Sequence, residues 1–172
     1  MSDREIIAAG RRMSALGLVA GTEGNVSARI PGGLRITPSS VPYEAIGETD
    51  LVTVDPRGVV TAGDRAPSSE LPLHLAIYSA RPDVGAIVHT HSPAAIAWSL
   101  RNEDLPGGRV HDTVRTAPAA DPGSRELARV AVAALGPRAA LLMAGHGVVA
   151  VAASPDEALA VAIDVENRAL AR

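Results

Sequence analysis

Cysteine is absent from the 172-residue sequence, and so is lysine, since all sixteen basic residues are arginine. Without cysteine there is no thiol nucleophile, no thiolate metal site and no disulfide. Without lysine there is no Schiff base, no attachment point for pyridoxal phosphate and no P-loop lysine. Aromatic residues make up 2% of the chain and the net charge is −3, so no basic patch interleaved with aromatics offers a footprint for nucleic acid. Long apolar runs are missing too. The longest fall far short of the ~20 residues that cross a bilayer, and Ser2 to Arg12 mixes charges where a signal peptide has an apolar core. A cytoplasmic location is expected, and the chemistry left open is that of histidine, carboxylate, hydroxyl and metal.

What is present reads as one soluble domain over residues 1–172, with 47% hydrophobic and 20% charged residues. Its centre of gravity is Pro67 to Ser92. The run Val84 to His91 has the branched residues and length of a buried strand, and side chains two apart on a strand share a face, so His89 and His91 converge. Glu70 stands at the start of a helical stretch reaching Ala80, with Pro72 tolerated in its first turn, and the helix dipole there favours the ionised carboxylate. His146 lies far along the chain between Gly145 and Gly147, where paired glycines point to a sharp bend or a close approach. Three histidines with an open fourth position are a common way to hold a catalytic zinc, and a neighbouring carboxylate is then a candidate base. His74, on an otherwise apolar helix, reads as a hydrogen-bonded core residue instead of a ligand.

The remaining chain supplies scaffold and three hydroxyl-rich or glycine-rich turns. Asp3 is placed as the cap of a first helix through Leu16. Gly21 to Arg29 is a glycine-rich loop entering a strand, Arg35 to Ser40 a second strand ending in hydroxyls, and Pro67 to Ser69 a third turn; together they can build an anion pocket without lysine. Leu51 to Val54 and Val59 to Thr61 read as a hairpin around Asp55 to Gly58. Pro93 to Leu100 reads as a short helix with Trp98 buried, Asn102 to Gly123 as a long loop containing His111, and Ser124 to Leu135 as a helix. Ala139 to Ala144 and Val148 to Ala152 are strands, and Ser154 to Glu157 is a capping box opening the last helix. A mixed α/β single domain follows.

Five stretches occur in the order and spacing of a known family: Gly21 to Arg29 (GTEGNVSAR), Ile36 to Ser40 (ITPSS), Pro67 to Glu70 (PSSE), Ala86 to His91 (AIVHTH) and Gly145 to Gly147 (GHG). On these residues the sequence resembles the class II aldolase/adducin family, in its L-fuculose-1-phosphate aldolase branch. The resemblance implies an α/β/α domain with a central, mainly antiparallel sheet, assembled as a homotetramer with active sites near subunit interfaces. It puts His89, His91 and His146 on the zinc ligands and Glu70 on the catalytic acid/base. Gly24, Asn25, Ser39, Ser40, Ser68 and Ser69 fall on the phosphate-binding positions.

The implied activity is a zinc-dependent aldolase-type lyase, making or breaking a C–C bond of a phosphorylated sugar through an enediolate. Glutamate at position 70 leans away from the family's epimerases, which commonly carry aspartate there. Two features depart from the aldolases. Ala119 stands where they carry a proton-donating tyrosine, for which His111 is the candidate substitute, and the segment beyond Arg172 that bears further active-site residues in them is not in the sequence. The alternatives are a sugar-acid phosphate decarboxylase or thiosugar-phosphate dehydratase of the same family, and an adducin-like assembly domain without chemistry. Retention of all three histidines with Glu70 argues against the last.

Overall fold

Two runs of small and branched residues, Ala86–Thr90 and Gly147–Ala152, pair antiparallel in the middle of an eight-stranded sheet. Their side chains alternate between two apolar clusters: Ile87, Val149 and Val151 enter one, Val88, Val148 and Ala150 the other. Both faces are therefore covered, which is why these segments show no polar alternation. The computed structural model describes residues 2–107 and 112–172. In chain order its elements are α1 (Asp3–Ala15), β1 (Asn25–Ile30), β2 (Gly33–Ile36), β3 (Val52–Val54), β4 (Val60–Ala62), α2 (Leu71–Ala80), β5 (Ala86–Thr90), α3 (Pro93–Ser99), β6 (Arg115–Ala117), α4 (Arg125–Leu135), β7 (Ala140–Met143), β8 (Gly147–Ala152) and α5 (Pro155–Leu170). Strand order is β4-β3-β2-β1-β5-β8-β7-β6, antiparallel throughout except for β6 beside β7. Helices α1, α3 and α5 cover one face and α2 and α4 the other, giving the expected α/β/α layering. No helix of the described residues is long and apolar enough to cross a membrane.

The structure corrects the sequence reading at several points. The cap of α1 is Ser2, in extended conformation, and the Glu5 carboxylate accepts from its N–H, so Asp3 is already helical. The stretch from Asn102 to Gly123 is not all loop: Arg115–Ala117 adds a parallel edge strand to β7, and Leu105 bridges Val114. Trp98 is half-buried, and its indole N–H reaches the Glu103 carbonyl. β5 stops at Thr90, so His91 lies one residue past the strand.

Candidate active site

β1 begins, β5 ends and β8 begins at one end of the sheet, because β1 and β8 both run antiparallel to β5. In that register Asn25 is paired with His89, and Val148 with Thr90. His89 shares the α2 side of the sheet with Ile87, and His91 keeps to the same side just beyond the strand. Their Nε2 atoms are 3.0 Å apart. His146 arrives on the turn between β7 and β8. Gly145 adopts φ +69° there, and a Cβ on Gly147 would lie 2.1 Å from the Thr90 carbonyl oxygen, so the two glycines are required for two different reasons. The three imidazoles form a near-equilateral triangle, with ring centroids 4.8, 4.9 and 5.0 Å apart, each pair edge to face.

Glu70 closes this triangle from the N-terminus of α2. It occupies the cap position, but its carboxylate turns away from its own helix. One oxygen (Oε2) is 2.8 Å from His89 Nε2, and the other (Oε1) is 3.4 Å from His146 Nε2. His89 Nδ1 donates to the Val148 carbonyl at 2.8 Å, which directs Nε2 inward. His91 presents its outer nitrogen, Nδ1, to Glu23 Oε2 at 3.4 Å. Nothing in the spacing of Glu23 within its glycine-rich loop pointed to that histidine.

Electrostatics in the cluster follow from burial and proximity. Burial pushes the Glu70 carboxyl up, but the charge of His89, the hydrogen bond from it, His146 and the Asn25 amide together hold it well below the usual carboxylate range. Burial works against a charge on His89, yet the adjacent Glu70 carboxylate raises that imidazole. His146 is pushed down to about 4, by burial first and then by the charge of His89, and His91 is lowered for the same reasons.

Whether these residues fit a metal can be judged from their donors. Glu70, His89, His91 and His146 each offer a ligand atom, all within 4.8 Å of one another, and Glu70 Oε1 is buried without a hydrogen-bond partner. Three imidazole nitrogens and a carboxylate oxygen suit a divalent cation of borderline softness such as zinc. They fit. Above them lies a cavity of about 310 Å³ lined by Gly24, Asn25, Ser39, Ser40, Ser68 and Ser69, together with Thr22, Glu23, Pro38, Glu70, His91, Pro122 and His146. All six residues singled out as phosphate-binding positions thus meet in one place. Backbone hydrogen bonds zip their turns together, Ser39 N–H to Ala66 and Ser68 N–H to Thr37. Among the described residues no arginine lines the cavity.

The sequence profile of the class II aldolase and adducin N-terminal domain matches residues 4–171. The chain belongs to the class II aldolase/adducin family. It is 38% identical over 171 residues to the L-fuculose phosphate aldolase of Escherichia coli, a match covering 95% of this chain and 78% of that protein. Against the 5-methylthioribulose-1-phosphate/5-deoxyribulose-1-phosphate aldolase of Rhodospirillum rubrum it is 38% identical over 173 residues, covering 95% and 76%. A solved L-fuculose 1-phosphate aldolase superposes with a TM-score of 0.94 at 35% identity, covering 98% of this chain and 83% of that one.

The chain's two tyrosines are both engaged away from the cavity: Tyr43 is buried and donates to the Glu23 carbonyl at 3.0 Å, while Tyr78 sits 2.9 Å from Ser27 Oγ beneath the sheet. Ala119 is exposed just past β6. His111, the candidate substitute for the missing tyrosine, lies outside the described residues.

Proposed function

We propose that this class II aldolase family member is a zinc-dependent lyase that cleaves or forms a C–C bond in a phosphorylated sugar. The observation that carries the reading is the convergence of Glu70, His89, His91 and His146 within 4.8 Å at the floor of a hydroxyl-lined cavity. His89, His91 and His146 would hold the metal. When bound, the cation supplies a Lewis acid beside the substrate carbonyl. Glu70, kept ionised, takes and returns the proton at the substrate. The backbone and hydroxyl groups of Gly24, Ser39, Ser40, Ser68 and Ser69, with Asn25 beside them, orient the phosphate and fix which carbon faces Glu70. The relatives named for fuculose phosphate, deoxyribulose phosphate and methylthioribulose phosphate support a phosphorylated-sugar substrate.

The test is a direct one. Zinc-loaded protein is incubated with L-fuculose 1-phosphate and 5-deoxyribulose 1-phosphate, and release of dihydroxyacetone phosphate is followed. Turnover lost with a chelator, and lost ~10²–10⁴-fold in Glu70→Gln, is the expected result. Normal turnover by Glu70→Gln overturns the assignment.

Ala119, with neither tyrosine in the cavity, favours a second reading, a sugar-acid phosphate decarboxylase or dehydratase that protonates no aldehyde oxygen. Carbon dioxide or water release without dihydroxyacetone phosphate would select it. A protein with no affinity for any divalent cation would point instead to an assembly domain. A homotetramer, on the family resemblance alone, and a cytoplasmic location, on the sequence reading above, complete the proposal, and light scattering of the purified protein tests the former.

A further inference from the structure

Beneath Glu70 runs a chain of polar side chains buried in the core. Asn25 is 2% exposed, Ser27 and His74 0%, and Tyr78 7%. Asn25 Nδ2 is 3.1 Å from Glu70 Oε2, and Asn25 Oδ1 meets His74 Nε2. The other nitrogen of His74, Nδ1, is 2.6 Å from Ser27 Oγ, which in turn is 2.9 Å from the Tyr78 hydroxyl.

One direction of donation satisfies all of these contacts. An ionised Glu70 only accepts, so the Asn25 amide must face it with NH₂ and present its oxygen to His74. His74 Nε2 must then carry the ring proton, and Nδ1 must accept from the Ser27 hydroxyl. Tyr78 completes the row by donating to Ser27. Burial holds the His74 imidazole neutral, pushed down to about 3, which leaves one ring proton and makes the tautomer decisive. Asn25 has no ionisable proton to pass on, so the row does not conduct protons to Glu70; it orients.

We propose that His74 is a positioning residue for Glu70: clamped as the Nε2–H tautomer by Ser27 and Tyr78, it holds the Asn25 carboxamide with its NH₂ toward the Glu70 carboxylate. The proposal rests on the reading of Glu70 as the acid/base. It also gives the Asn25 side chain a task other than the phosphate contact implied by the family resemblance. Its amide oxygen is held by His74 and its nitrogen by Glu70. His74 earns its place in an otherwise apolar helix face by what it does two bonds away.

Two experiments on the full zinc-loaded chain decide it. In ¹⁵N NMR of the imidazole nitrogens, with the His74 signals assigned by their loss in His74→Gln, a neutral ring protonated on Nε2 is expected; a proton on Nδ1, or a doubly protonated ring at neutral pH, overturns the proposal. In steady-state kinetics, His74→Leu should lose about 10–100-fold in kcat with KM unchanged. His74→Gln, whose amide nitrogen offers a donor near the position of Nε2, should keep most of it. A packing role predicts the reverse order, and that order overturns the proposal. Ser27→Ala, which hydrogen-bonds to neither Glu70 nor Asn25, carries the same test if the leucine variant does not fold: a fall in kcat with inorganic phosphate binding unchanged supports the proposal, and wild-type kcat refutes it. Failure of the underlying reading looks different, because Glu70→Gln would then turn over normally while the His74 proton stayed on Nε2.

Discussion

At Glu70 burial and charge oppose each other, and the neighbours win: His89, His146 and Asn25 keep a carboxylate ionised where the surroundings alone would neutralise it. His74 is the reverse case, a fully buried imidazole kept neutral. Its ordinary value of 6.5 is pushed down to about 3, so between those values the unfolded chain binds a proton that the folded one does not. Stability therefore rises with pH across that window and is lost as pH falls below 6.5, with a slope of about 1.4 kcal/mol per pH unit from this one group. His89, raised by Glu70, acts in the opposite sense. The difference between wild type and His74→Gln isolates His74: chemical denaturation from pH 6.5 down to about 4 should show the steeper fall in wild type, and equal slopes would refute the assignment. Gly147 sets a steric limit at the same scale. A Cβ there would sit 2.1 Å from the Thr90 oxygen, so Gly147→Ala should destabilise by about 1–3 kcal/mol or more and weaken metal binding by shifting His146, measurable by thermal melting with and without zinc.

At the scale of elements, the site depends on where helices start. α2 delivers Glu70 at its N-terminus. α3 begins two residues after His91, and both free N–H groups of its first turn, on Ala94 and Ala95, are taken by the Glu166 carboxylate of α5 at 2.9 and 2.8 Å. This clamp ties the layer of α1, α3 and α5 to the segment carrying His91, and it uses the helix dipole as a capping side chain does. Glu166→Ala is expected to cost about 1–2 kcal/mol and to lower the melting temperature. Glu166→Gln, which keeps one acceptor, should cost less. An alanine variant as stable as wild type would show the clamp to be idle.

For the whole molecule, the proposed metal is a link between the end of β5 and the turn joining β7 to β8, which meet only in the folded state. Binding to the folded chain alone stabilises it by mass action, about 2.7 kcal/mol at a free concentration 100 times Kd. For a chain of this size that corresponds to roughly 5–10 °C in Tm. Zinc should raise the melting temperature of the wild-type protein, a chelator should reverse the shift, and His91→Ala should respond far less. A shift of equal size in His91→Ala would remove that histidine from the ligand set.

Much of this molecule was legible before folding, and for a common reason. Caps such as Ser154 with Glu157, the Asp55 to Gly58 turn, the pairing of His89 with His91 on one face and the glycines around His146 all depend on residues close together in the chain, where backbone geometry alone decides what can meet. The branched runs that became β5, β7 and β8 carried their own burial with them. What folding alone decided involves residues far apart, or segments too short to carry a period. Three residues of a proline- and glycine-rich stretch became β6 because β7 offered an unpaired edge, whereas the Ser2 cap is a local S-x-x-E box like that of Ser154 and Glu157, which the sequence reading passes over for Asp3. Glu23 beside His91, Glu166 on α3 and the row from Tyr78 through His74 and Asn25 to Glu70 have no sequence signature. Residue types in the sequence set which donors and acceptors exist. Only packing, by removing water from around them, dictates which donor each acceptor must find.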